Sequence, residues 1–140
     1  MRRAPDVGAT GPEAEAFVLA YGEALSRGDG DAVARMWELP ALVLADGGAV
    51  AVGSAEQVAE FFAGQPAVYA ESGIHATRAV SVAVEQLSDE LCSADVRWVG
   101  LDAEGNRTDH TELSTYVLRR DAGGTLRIQV AITRTSRIPD

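Results

Sequence analysis

The chain contains no lysine: all 12 of its basic residues are arginine. That removes Schiff-base chemistry, a phosphate-binding-loop lysine and a lysine general base at one stroke. Arginine-only basicity is also what a GC-rich genome produces. A single cysteine, Cys92, excludes an intrachain disulfide, and with only two histidines, His75 and His110, there are too few ligands for a zinc site of the usual nitrogen-and-sulfur type. No metal or redox cofactor is expected. No stretch reaches the roughly 18 apolar residues needed to cross a bilayer. The opening MRRAPDVGATGP has two arginines but no apolar run after them, so it does not read as a secretory signal. Residues 1–10 are expected to be a short disordered lead-in, 11–137 a single domain, and the cytoplasm its compartment. A net charge of −9 argues against nucleic acid and anionic membrane as partners. It suits a soluble protein whose ligand is small and neutral or cationic.

The residues that are present are well patterned. Phe17, Tyr21 and Leu25 recur every four residues, joined by Ala14, Val18 and Ala24, which predicts a helix over about 11–27 with one apolar face. Thr10 and Glu13 have the spacing of a capping box, with Pro12 tolerated in the first turn. Gly28 sits where a left-handed cap is expected, and Asp29 can open a second helix over about 30–38. Val33, Met36 and Trp37 would share a face of that helix, and Pro40 would stop it. ALVLA (41–45) and AVAV (49–52) read as a hairpin around Asp46-Gly47-Gly48. Ser54 and Gln57 form a capping box for a third helix carrying Val58, Phe61 and Phe62. Gly64 and Pro66 are expected to break it, with a further turn in PAVYAES.

From Ile74 onward the period changes from about 3.6 to 2. Strands are predicted over Ala76–Leu87, Leu91–Leu101, Thr108–Arg120 and Thr125–Ser136, joined by short turns as an antiparallel meander. Cys92, Ala94, Val96 and Trp98 share one face of their strand. Leu126, Ile128, Val130 and Ile132 are expected to share one face of the last. Helices followed by a long antiparallel sheet make an α+β pattern, helices packed on one sheet face. A strongly curved sheet closing on them would form a cone with an apolar pocket.

The segments YGEALSRGDGDAVARMW and STYVLRRDAGGTLRIQVAIT, with the short hairpin between, resemble the NTF2-like superfamily of cone-shaped α+β domains over residues 13–136. That superfamily includes SnoaL-like cyclases, ketosteroid isomerases and limonene-epoxide hydrolases. Trp37-Glu-Leu-Pro40 together with STYVLRR looks closest to a bacterial subgroup of unassigned function. Aligned on the ketosteroid isomerases, Tyr21 matches the oxyanion-hole tyrosine and Trp37 an aromatic. The general base falls on Ala45, with Asp46 on the opposite strand face, and the second acid falls near Thr115 or Tyr116. The resemblance therefore does not imply isomerase chemistry. The Asp-Arg-Asp set of the hydrolases has a partial counterpart in Asp95 and Arg97, which share a strand face with Ser93.

Within such a cone the candidate catalytic residues are His110, Glu112 and Tyr21, and Trp37, Phe61, Phe62, Trp98 and Tyr116 are the candidate walls. Core packing is the plain alternative for each aromatic. His110 shares a strand face with Glu112, Ser114 and Tyr116, and a histidine beside a carboxylate suits acid/base work near neutral pH. If Leu113, Thr115 and Val117 point inward instead, His110 and Glu112 lie on the outer face. Both faces carry apolar residues, which suggests that both are covered and that the sheet forms a homodimer. His75 is placed at the open end of the cone or on the surface. Asp95 and Arg97 read as a surface ion pair, Arg119-Arg120 as a solvated basic pair, and Cys92 as a buried strand residue. Three functions are compatible with this pattern. One is a cofactor-free cyclase, isomerase or dehydratase for a hydrophobic polyketide- or terpenoid-like compound, the second a non-catalytic binder with the same pocket, and the third a structural dimer filled by its own side chains.

Overall fold

A computed structural model describes residues 10–134. Residues 1–9, most of the expected lead-in, and 135–140, where the last strand is expected to end, lie outside the described residues. The elements are α1 (Thr10–Arg27), α2 (Gly30–Arg35), β1 (Trp37–Ala45), β2 (Gly48–Val52), α3 (Ala55–Ala70), β3 (Ala76–Gln86), β4 (Leu91–Leu101), β5 (Arg107–Arg120) and β6 (Leu126–Thr133). The strands form one six-stranded sheet in the order β2-β1-β6-β5-β4-β3. Only the β1–β6 pair is parallel. The sheet curves around the helices, giving the α+β cone that the sequence pattern implies. No helix among the described residues is long and apolar enough to cross a membrane.

Local chemistry explains the helix ends. Gly28 has φ +68°, the left-handed conformation that closes α1, and Asp29 then accepts from the Ala32 amide at 3.0 Å to cap α2. Ser54 and Gln57 cap α3 reciprocally, the Gln57 amide donating to Ser54 and the Gln57 side chain accepting from the Ser54 amide. Thr10 lies inside α1 rather than before it, and Glu13 faces away from the cap. Its two carboxylate oxygens accept from Arg120 at 2.9 Å each. The Arg119-Arg120 pair is correspondingly not left to solvent: Arg119 donates to Gln129, and Arg120 also donates to the Gly124 carbonyl.

Four expectations are corrected. Helix α2 stops at Arg35, and Trp37 begins β1, so its indole points off a strand and not off a helix. Trp37 and Ala41 are buried on the inner face of β1, with Leu39 and Val43 packed beside them at the same period of two. Helix α3 continues through Gly64 and Pro66 to Ala70. Pro66 forfeits one backbone donor, but its ring is received at Gly28, where a Cβ would lie 2.8 Å from Pro66 Cγ. On β3, Val80 is an unpaired extra residue between Ala79 and Ser81, so Ala79, Val82 and Val84 pack inward while Val80 is exposed. On β6, Gln129 is extra in the same way. The inward face therefore switches from Leu126 and Ile128 to Ala131, and Val130 and Ile132 leave it.

Candidate functional site

Between the helices and the inner sheet face lies a cavity of about 500 Å³. Of the chain's two tryptophans, three tyrosines and three phenylalanines, all but Phe17 line it, and Phe17 stacks on Tyr21 with ring centres 6.3 Å apart. Concentrating nearly every aromatic side chain on one wall makes an apolar enclosure with a few polar atoms, the usual composition of a small-molecule site.

Tyr21 is the hub of that wall. It projects from the buried face of α1 and touches the rings of Phe62, Trp98 and Tyr116, the last edge-on at 5.8 Å. Its oxygen accepts from Trp37 Nε1 at 3.3 Å, across from β1. A matching pair sits deeper in the sheet, where Trp98 Nε1 donates to the Tyr116 oxygen at 3.2 Å. Gly22 makes this arrangement possible, because a Cβ there would come within 2.9 Å of the Trp98 ring. Burial drives the Tyr21 phenol well above its ordinary pKa, with Tyr116 adding to the effect and the Trp37 hydrogen bond opposing it. Burial likewise pushes Tyr116 up to about 12, against hydrogen bonds from Ser114 and Trp98. Both phenols thus stay protonated at neutral pH, and because each accepts from an indole, each keeps its own O–H to donate.

The strand-face question at β5 resolves in one direction. His110, Glu112, Ser114 and Tyr116 all line the cavity, so Leu113, Thr115 and Val117 take the outer face. Glu112 accepts from the Tyr69 hydroxyl, 3.2 Å from Oε2 and 3.4 Å from Oε1. The Tyr69 ring meets His110 edge-on with centres 5.6 Å apart. His110 Nε2 is 3.3 Å from Glu112 Oε2, close enough for charge attraction when the imidazole is protonated. The contact lacks the alignment that a hydrogen bond requires, and Nε2 is buried with no hydrogen-bond partner. Burial, then the Glu112 charge, pushes Tyr69 up to about 12. Gly100 leaves the room beneath His110, since a Cβ there would sit 3.2 Å from His110 Cβ.

Each of the expected site residues therefore lies on the cavity: His110 and Glu112 together at one end, and Tyr21, Trp37, Trp98, Tyr116 and Phe62 along the wall. Phe61 stands at the rim, 58% exposed, near Val50 of β2. His75 is exposed and also borders the cavity. Asp95 is outside it, accepting from Thr115 on the outer sheet face at 2.7 Å. Cys92 is buried in the core. Tyr69 is the site residue that sequence pattern alone does not single out. Phe62, Pro66 and Tyr69 are spaced i, i+4, i+7, and that pattern emerges only when α3 runs unbroken through Pro66. A shallower hollow of about 510 Å³ lies behind Trp37, bordered by Asp31, Arg35, Glu38 and Arg127. It contains neither of the histidines nor a tyrosine.

A family model described as "NTF2-like protein (DUF6841)" matches residues 12–136. Among solved structures, Aln2 from a Streptomyces species superposes with a TM-score of 0.71 at 17% identity, covering 94% of each chain. A protein from Catenulispora acidiphila in complex with S-DNPA gives a TM-score of 0.69 at 15% identity, covering 91% of this chain and 93% of that one. A ketosteroid isomerase-like protein from Erwinia carotovora atroseptica gives 0.62 at 19% identity, covering 91% and 96%. At these identities the likeness is one of fold. A search of the curated proteins finds no match.

Proposed function

The chain belongs to the NTF2-like family DUF6841, and from that premise we propose that it is a small enzyme that moves a proton on a hydrophobic molecule held inside its cone. Cyclisation, isomerisation or dehydration of a polyketide- or terpenoid-like compound fits this reading. The observation that carries it is His110 Nε2: a buried imidazole nitrogen with no hydrogen-bond partner, on the cavity wall, 3.3 Å from a carboxylate. A buried polar atom left unsatisfied is costly unless something else uses it, and a ligand proton is what this position can use.

In this reading His110 takes a proton from a carbon or oxygen of the ligand. Glu112 attracts the imidazolium so formed, and Tyr69 holds Glu112 in place by its hydroxyl. The spare O–H groups of Tyr21 and Tyr116 are positioned along the wall to donate to a ligand oxygen as it gains charge. The step needs no electron acceptor, since only a proton changes place. Positioned acid/base groups of this kind contribute about 10²–10⁴-fold to rate. Assembly as a homodimer through the outer sheet face belongs to the same proposal, with Leu113 and Val117 in the contact; sedimentation equilibrium should return twice the chain mass.

The test is hydrogen exchange in deuterated water, followed by NMR, on a panel of hydrophobic cyclic and polycyclic ketones. Wild-type protein should accelerate exchange at carbon next to the carbonyl for at least one compound, and His110→Ala should lose about 10²-fold or more of that acceleration. No acceleration over buffer for any compound, or full activity in His110→Ala, sinks the reading. A second reading, a non-catalytic binder, is favoured by the internal pairing of Tyr21 with Trp37 and of Tyr116 with Trp98, which makes a finished wall without ligand. It predicts binding by the same compounds with no exchange.

A further inference from the structure

The charges around the cavity are one-sided. In a chain with 12 arginines, none is among the cavity-lining residues, whereas a carboxylate, Glu112, is. A site for a carboxylate or phosphate needs the reverse, a guanidinium or a cluster of backbone amides facing inward. Glu112 also has capacity to spare. An ionised carboxylate offers about four acceptor positions. Among the described residues its hydrogen bonds come from the Tyr69 hydroxyl, while His110 Nε2 lies close without donating to it. A partly buried carboxylate with so few donors is under-compensated, and a cation from the ligand would complete it.

The surroundings of Glu112 are suited to that cation. In the β4–β5 register Trp98 is the residue directly opposite Glu112, so the two side chains lie next to each other on the inner face. Tyr116, further along the same face, and Tyr69, from α3, bring two more rings to the same end. Aromatic faces grouped around one carboxylate attract a positive nitrogen through both charge and ring quadrupole. The remaining wall, with Phe62 and Trp37, is apolar and takes a ring system.

We propose that the cavity takes a hydrophobic amine: an aromatic or polycyclic body along the wall, with its protonated nitrogen seated on Glu112 among Trp98, Tyr116 and Tyr69. The inference rests on the cavity being a ligand site, as in the proposed function, and does not depend on the proton-transfer step.

Three probes of the same shape and different charge test it: 2-naphthylmethylamine, 2-naphthylmethanol and 2-naphthoate, with binding to the full-length protein followed by calorimetry at neutral pH. The amine should bind about tenfold more tightly than the alcohol, and the carboxylate more weakly than either. In Glu112→Gln the advantage of the amine over the alcohol should shrink to about threefold or less, with alcohol binding retained. Raising the salt concentration on wild-type protein should weaken the amine more than the alcohol, a comparison that needs no variant. Equal binding of amine and alcohol, tightest binding of the carboxylate, or an amine advantage unchanged in Glu112→Gln overturns the amine inference and leaves the ligand-site reading standing. Failure of all three probes to bind overturns both.

Discussion

Trp98 and Tyr116, on the adjacent strands β4 and β5, are joined by a hydrogen bond of 3.2 Å from indole Nε1 to phenolic oxygen, and both side chains are almost completely buried. Removing one partner leaves the other without its hydrogen bond in a place that water does not reach. Tyr116→Phe should therefore cost about 1–3 kcal/mol of stability although it deletes a single oxygen. Trp98→Phe should cost more, because it adds a cavity beside Gly22 to the lost bond. The double variant should cost less than the sum of the two, with a coupling of about 0.5–3 kcal/mol. Urea unfolding of the four proteins measures this; strict additivity would show that the bond adds nothing to stability.

All three tyrosines of the chain are held protonated beyond the ordinary pKa of 10.0: Tyr69 and Tyr116 up to about 12, and Tyr21 also well above its ordinary value. In the unfolded chain these phenols ionise near 10, so above that pH the unfolded state releases protons that the folded state keeps. Their contribution to stability is whole below pH 10 and is lost as pH rises from 10 through about 12. Phenolate absorbance of the native protein should stay flat past pH 10 and then rise abruptly together with loss of circular dichroism. A smooth titration centred at 10 in the folded protein would contradict this.

Gly30 opens α2 directly against the backbone of α3. A Cβ there would lie 2.2 Å from the carbonyl oxygen of Ala59, and backbone cannot swing aside as a long side chain can. Gly30→Ala should push α2 and α3 apart and destabilise the protein by about 1–3 kcal/mol or more. Gly47, at the β1–β2 turn, has nothing within 4 Å of the same position, so Gly47→Ala serves as the control. Comparable unfolding midpoints for the two variants would show that α2 is free to shift.

The parts of this molecule that are legible in the sequence are those settled by nearest neighbours along the chain. The Gly28-Asp29 turn, the Ser54/Gln57 capping box and the apolar face of α1 are of this kind, because the donors, acceptors and periodicity involved lie within a few residues of each other. The inner face of β4, from Cys92 to Trp98, is legible because no extra residue interrupts that stretch. Where one does, as at Val80 and Gln129, alternation predicts the wrong side for the rest of the strand, since a single unpaired residue inverts every later side chain. The direction of His110 and Glu112 cannot be read at all from β5. Its two faces are both mixed, and the choice is made by Tyr69 and the aromatic wall, which come from other elements. The helical spacing of GDAVARMW assigns Trp37 to a helix; its pairing with Ile128 on β6 overrides that preference.

Tyr69 ties the last turn of α3 to the sheet through more than its ring. Its carbonyl accepts from the amides of both Ser72 (2.9 Å) and Ile74 (3.0 Å), so the turn that delivers the chain into β3 is folded back on this residue. Its hydroxyl, bonded to Glu112, is what anchors that turn to β5. Tyr69→Phe keeps the ring and the edge-on contact with His110 but removes the anchor. The bond is only partly buried, so the global cost should be small, about 1 kcal/mol or less. The local effect should be larger: the amides of Ser72 and Ile74 should exchange with deuterium several-fold faster, while those at the centre of β5 stay protected, since opening free energies differ across a structure. Unchanged exchange at Ser72 and Ile74 would mean that the ring packing alone holds the turn, and that Glu112 owes its position to β5 rather than to Tyr69.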